Sequence, residues 1–160
     1  MTRLTHLDKS GNAHMVDVSD KDETNRMAKA SATINLTKVA MTALIEGNLK
    51  KGDALGVARI AGIIAAKKAA DLIPLCHPLP ITKVSVNLVT DTNSNTVVAT
   101  ATVKSKGQTG VEMEALTAAT VAALTLYDML KALDKGITIS TIQLIEKRGG
   151  KSGTWERTKE

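Results

Sequence analysis

Aromatic side chains are almost missing from this sequence: Tyr127 and Trp155 are the only two, and there is no phenylalanine. The core must therefore be filled by Ala, Val, Ile, Leu and Met, and helix-to-helix contacts are expected to be close. Cys76 is the only cysteine, which excludes an internal disulfide and suits a reducing compartment. Met1 to Ser10 holds no apolar run that would serve as a signal peptide, and nowhere do 18 uninterrupted apolar residues occur. A cytoplasmic protein without a membrane partner is the expectation. The three prolines, Pro74, Pro78 and Pro80, stand close together and stop any helix there.

What is present suits a folded domain. Hydrophobic residues make up 43% and charged residues 23%, unlike the composition of a disordered chain, and 160 residues suffice for one core. The net charge of +5 favours anionic partners without choosing among them. Residues 1–26 read as a polar arm, with Gly11-Asn12 as a turn and Ser19 with Asp22 as a weak helix start. Ala28 to Leu36 alternates as a strand. Thr37 then caps a helix over 38–46 that Gly47 ends, and Asp53 caps a second over 54–70. Residues 81–90 alternate, with Val84, Val86 and Leu88 on one face. After the turn cluster 91–95, a second alternating strand runs over 96–104 as the other arm of a hairpin. A long helix over 111–133 and a strand over 137–145 complete the order, followed by a glycine- and lysine-rich tail at 149–160. This is an α+β chain with the ferredoxin-like βαββαβ pattern, helices on one face of the sheet, and an additional helix near the front. The helical stretches 61–66 and 115–126 are small or apolar nearly all round, which implies burial on every side, most simply in a homo-oligomer, with a tightly packed monomer as the alternative.

Several residues could carry chemistry, each with an ordinary structural alternative. Cys76-His77 lies in a proline-stiffened segment; it lacks the spaced ligands of a zinc site, and adjacent side chains in extended backbone diverge, so on spacing alone it reads as a buried thiol and a turn histidine. Glu112 and Glu114 suit the first turn of a helix electrostatically, and Asp128 with Lys131, three apart, suits a surface ion pair. Gly150-Lys151-Ser152 lacks the upstream glycine of a P-loop, since Ile145 stands there, but remains a glycine-rich cationic loop able to meet phosphates. Lys51-Gly52-Asp53 precedes a helix start, a second possible anion site.

Taken together, LIPLCHPL (72–79), GVEMEALTAA (110–119), YDM followed by Lys131, KGD (51–53) and GGKSG (149–153) closely resemble the cyclic pyranopterin monophosphate synthase family, the molybdenum cofactor biosynthesis protein C family. The resemblance is collinear over nearly the whole chain. It implies a ferredoxin-like fold and a hexamer built as a trimer of dimers. It also implies a site between subunits that takes a cyclised guanosine triphosphate from an upstream radical enzyme and releases pyrophosphate, a lyase reaction with no redox cofactor or metal. Carried over residue by residue, it makes Asp128 the acid or base, with Lys131 and Lys51 in proton transfer. Leu75, Cys76 and His77 match one substrate-binding segment, Met113 and Glu114 another, and Glu112 and Lys147 line the same cavity. Lysine beside carboxylate holds its proton more tightly, so Lys131 is expected to donate and Lys51 to be the freer acceptor. The chain departs from the pattern at Leu49-Lys50, where histidines are expected, and at Arg148, where a serine is expected. The competing readings are a non-catalytic small-molecule module and an RNA-binding module. RNA-recognition domains with this element order stack bases on strand aromatics, and neither Tyr127 nor Trp155 falls in a predicted strand.

Overall fold

The computed structural model describes residues 7, 8 and 10–158. The first six residues of the expected arm, Lys9, and the last two residues of the expected tail lie outside the described residues.

The elements run β1 (Thr24–Asn35), α1 (Lys38–Glu46), α2 (Ala54–Ala66), α3 (Ala69–Leu72), β2 (Ile81–Asp91), β3 (Thr96–Gly107), α4 (Glu112–Leu130), β4 (Thr138–Arg148) and β5 (Trp155–Glu156). Among the described residues the strands form one sheet in the order β2-β3-β1-β4-β5, every pair antiparallel. Its first four strands have the ferredoxin-like order, as expected; β5 is an extra edge strand inside the segment read as a tail. Trp155 therefore does lie in a strand, contrary to expectation, although at the edge of the sheet and not in its centre.

The caps fall where the sequence put them. The Thr37 hydroxyl accepts from the Ala40 amide and Gly47 closes α1 at φ 70°, a left-handed geometry that glycine adopts without strain. The Asp53 carboxylate accepts from Gly56 N at 2.8 Å. Three boundaries differ. The helix expected over 54–70 breaks at Lys67-Lys68, whose amides bond to Ile64 O and Ala65 O in a tightened last turn before the short α3. β1 begins at Thr24, so the end of the supposed arm belongs to the sheet. Ser19 starts no helix; its amide and hydroxyl both donate to the Asp17 carboxylate, which makes a turn.

The core explains the lack of aromatics. Ala28, Ala30 and Ala32 of β1 and Ala99 and Ala101 of β3 meet Ala115, Ala118, Ala119 and Ala122 of α4, all fully buried. Small side chains on both layers let α4 settle close to the sheet, and α2 packs on α4 at Gly62, where an added Cβ would stand 2.8 Å from Ala118 O. By length and composition α4 could cross a membrane, yet half of that stretch is buried against α2 and the sheet, as in the central helix of a core. β1 and β4 pair with two register shifts, the first along β1 between Lys29 and Ala30. Ala30 faces Leu144 but Ala28 faces Lys147, so Ile145-Glu146 absorbs one extra residue. Residues directly opposite share a face, and Ala28 faces the helices; the shift therefore turns Lys147, not Glu146, toward α4.

Candidate active site

α4 carries functional groups at both ends. At its C-terminal end Lys131, the capping residue, donates to Asp128 Oδ1 at 2.7 Å. Lys51 reaches the same carboxylate from the turn before α2, donating to Oδ2 at 2.7 Å and to the Asp128 carbonyl at 2.9 Å. That carbonyl belongs to the last turn of α4, where helical partners run out and positive charge is favoured. The turn is made possible by Gly52 at φ 82°, and Asp53 anchors it to α2. The three side chains are 44 to 52% exposed, open to a solute. Hydrogen bonds from Lys131 first and Lys51 second lower the Asp128 carboxyl to about 2, and the same carboxylate raises Lys131. One expectation fails here. Lys51 was to be free of carboxylate and so the readier acceptor, but it shares Asp128 with Lys131, which removes the geometric ground for that division.

At the N-terminal end of α4 the Glu112 carboxylate pairs with Lys147 at 2.9 Å, each side chain 27% exposed. Cys76 and His77 diverge, as adjacent extended residues should. The Cys76 thiol lies 3.6 Å from Glu114 Oε1, whereas His77 Nε2 lies 2.8 Å from the Val16 carbonyl and donates to it. Glu114 is 2% exposed, and its Oε2 finds no partner among the described residues. Burial without a cation raises its pKa, and it raises the Cys76 thiol to about 11 together with the larger effect of the thiol's own burial. Cys76 is thus a poor nucleophile at neutral pH. Leu75, Cys76, His77, Glu112 and Met113 line a cavity of about 420 Å³. A second, of about 610 Å³, adjoins it and shares Lys21, Thr109, Gly110 and Glu112 with it; Lys147, Arg26 and Lys151 stand in its wall. Among the described residues no three His, Cys, Asp or Glu side chains come together as a metal site.

The structure thus joins Lys51, Asp128 and Lys131 in one cluster, and Leu75, Cys76, His77, Glu112, Met113, Glu114 and Lys147 in another. It does not join the two within one chain. Glu114 and Asp128 are fourteen positions apart on α4, about 21 Å along the axis. Sequence reasoning missed Arg26 and Lys21. Arg26 is fixed by its bonds to the Gly107 and Gln108 carbonyls, 81 and 82 positions away, and Lys21 sat in a segment read as an arm. Only the charge of those residues, in a run of mixed polar sequence, could have pointed to them.

The sequence profile described as the MoaC family matches residues 15–150. A cyclic pyranopterin monophosphate synthase of Jannaschia sp. (strain CCS1) is 60% identical over 156 residues, 98% of this chain and 96% of the relative. Proteins of the same name from Cereibacter sphaeroides (strain ATCC 17029 / ATH 2.4.9) and Thermomicrobium roseum are 58% and 57% identical over 98% of this chain, and over 98% and 95% of their own lengths. A match that takes in both ends of α4, the Cys76-His77 segment and Lys51 covers both clusters, and the chain belongs to the MoaC family.

Proposed function

We propose that this chain is a lyase of molybdenum cofactor biosynthesis that converts 3',8-cyclo-7,8-dihydroguanosine 5'-triphosphate to cyclic pyranopterin monophosphate and releases pyrophosphate. The observation that carries the reading is the pair of adjoining cavities at the start of α4. Lys21, Arg26, Lys147 and Lys151 outnumber the carboxylates Asp20, Asp22 and Glu112 in the wall of the larger one and suit a polyphosphate, which needs several cations and backbone amides. The smaller one, with Cys76, His77 and Met113 in its wall, suits the ring system.

Ring rearrangement also needs proton transfer, and the groups for it, Asp128 with Lys51 and Lys131, lie about 21 Å away along α4. A second copy of the chain, bringing its own α4 C-terminus to these cavities, supplies them; the hexamer implied by the resemblance is such an arrangement. Val57, Ile60 and Ile64, spaced along one side of α2 and 44, 57 and 51% exposed, support it, because an apolar helix face of this kind is ordinarily covered. In the assembled site the Asp128 carboxylate holds both ammonium groups in place beside the ring system. We place the protein in the cytoplasm, where an upstream radical enzyme provides the substrate.

Incubation with the cyclised nucleotide, followed by detection of pyrophosphate and the pterin, tests the reading. Asp128→Asn is expected to lower turnover by about 10²- to 10⁴-fold, the range of a lost acid–base group, with the oligomer intact by light scattering. Turnover at the native rate in that variant, or a monomer at micromolar concentration, refutes it.

A further inference from the structure

The glycine-rich loop is not the end of an open tail. It is the connection of a β-hairpin. β4 and β5 pair with Glu146 opposite Glu156 and Lys147 opposite Trp155. The Arg157 amide donates to Ile145 O at 2.9 Å. Hydrogen-bonded and non-bonded pairs alternate in an antiparallel ladder, so with 145 and 157 bonded, Lys147 and Trp155 form the next bonded pair. The Arg157 side chain adds a second tie, Nε to Leu144 O at 2.8 Å, and its guanidinium stands 5.7 Å from the centre of the Trp155 ring. Three residues past the loop, Trp155, Glu156 and Arg157, are thus fastened to the strand that carries Lys147.

Between the two strands the loop is pressed onto the start of β1. Gly149 and Gly150 have φ of 95° and 74°, and a Cβ on either would run into Asn25 O or the Arg26 guanidinium. The Gly153 amide closes a turn onto Gly150 O at 3.1 Å. Gly150, Lys151 and Ser152 are thereby set in the wall of the larger cavity beside Lys147 and Arg26. Neither Trp155 nor Arg157 lines that cavity.

We infer that Trp155–Arg157 is a clamp whose work is to hold the 149–153 loop in place for an anionic, polyphosphate-bearing ligand. It consists of positioning residues, not catalytic ones. The inference rests on the polyphosphate reading of the larger cavity given above. A loop tied at both ends meets its ligand already ordered, whereas a loop tied only at Arg148 must be ordered on binding, which weakens affinity.

Titration calorimetry with inorganic pyrophosphate tests this on the full chain, on a chain ending at Thr154, and on full-length Arg157→Ala and Trp155→Pro, the last removing the ladder donor. The shortened chain is expected to bind about tenfold or more weakly, the cost of ordering a few residues. Both point variants fall between it and the full chain, and Arg157→Lys recovers part of the loss. With the cyclised nucleotide KM rises in step while kcat stays within about twofold, which general loss of structure would not produce. Equal pyrophosphate affinity in the full chain and all three variants overturns the clamp, as does a fall in kcat at unchanged KM. If the full chain itself does not bind pyrophosphate, the polyphosphate reading fails first and takes the clamp with it.

Discussion

Gly62→Ala is the substitution through which the helix packing can be measured. Gly62 lies in the middle of α2 against α4, and a methyl group there would stand 2.8 Å from Ala118 O and 3.2 Å from both Ala122 Cβ and Val86 Cγ2. Ordinary carbon contacts begin near 3.4 Å. The helix would have to move by roughly half an ångström, and a backbone carbonyl inside a helix cannot swing aside as a side chain can. Two gains oppose this. Alanine is favoured over glycine inside a helix by about 1 kcal/mol, and one more buried methyl adds about 0.8 kcal/mol. Against them stand overpacking, about 1–3 kcal/mol, and the loss of close contacts along the rest of the α2–α4 seam, since a gap of 0.5–1 Å forfeits roughly a quarter to a half of each contact's attraction. That seam is made of alanines, whose short side chains cannot reach across a wider gap. The expected balance is a destabilisation of about 1–2 kcal/mol, with a fall in Tm of about 2–8 °C for a chain of this size. Urea and thermal unfolding followed by circular dichroism measure both. A Gly62→Ala protein as stable as the parent, or more so, would show that the helices are not held at contact distance and that the aromatic-poor core has slack.

Two further outcomes follow from the buried groups beside Cys76. Glu114 has its pKa raised above 4.5 in the folded chain, so its contribution to stability is fully present below that value and is lost as pH rises through the folded one. Glu114→Gln should therefore remove a decline in unfolding free energy between acid and neutral pH, and parallel pH profiles for variant and parent would contradict the assignment. The Cys76 thiol, raised to about 11 from an ordinary 9.0, should be alkylated by iodoacetamide at pH 8 about a hundredfold more slowly than a free cysteine, in line with its thiolate fraction. Mass spectrometry of timed samples reads this directly, and alkylation at the rate of the unfolded chain would refute it.

Much of the fold was legible along the chain because its signals are local. Thr37 and Asp53 cap through amides three positions away, Gly47 through its own left-handed backbone, and the alternation of Val84, Val86 and Leu88 against Lys83, Ser85 and Asn87 states which side of β2 faces the core. Spacing also made Asp128 and Lys131 neighbours. The break at Lys67-Lys68 was hidden because lysines near a helix end satisfy the dipole whether the helix stops there or runs on.

The sequence by itself determined the order of the main strands and helices, though not the short α3 or the edge strand β5, together with the aromatic-poor core, the family, and the residues from which a site had to be drawn. Tertiary structure alone decided how those residues combine. Lys51 meets Asp128 across 77 positions, Arg26 meets Gly107 across 81, and Lys147 rather than Glu146 turns toward Glu112 because one extra residue in β4 reverses the parity of the strand. Such pairings depend on the register of strands and the packing of α2 on α4, which are settled by the whole set of contacts at once and leave no periodic trace in the chain.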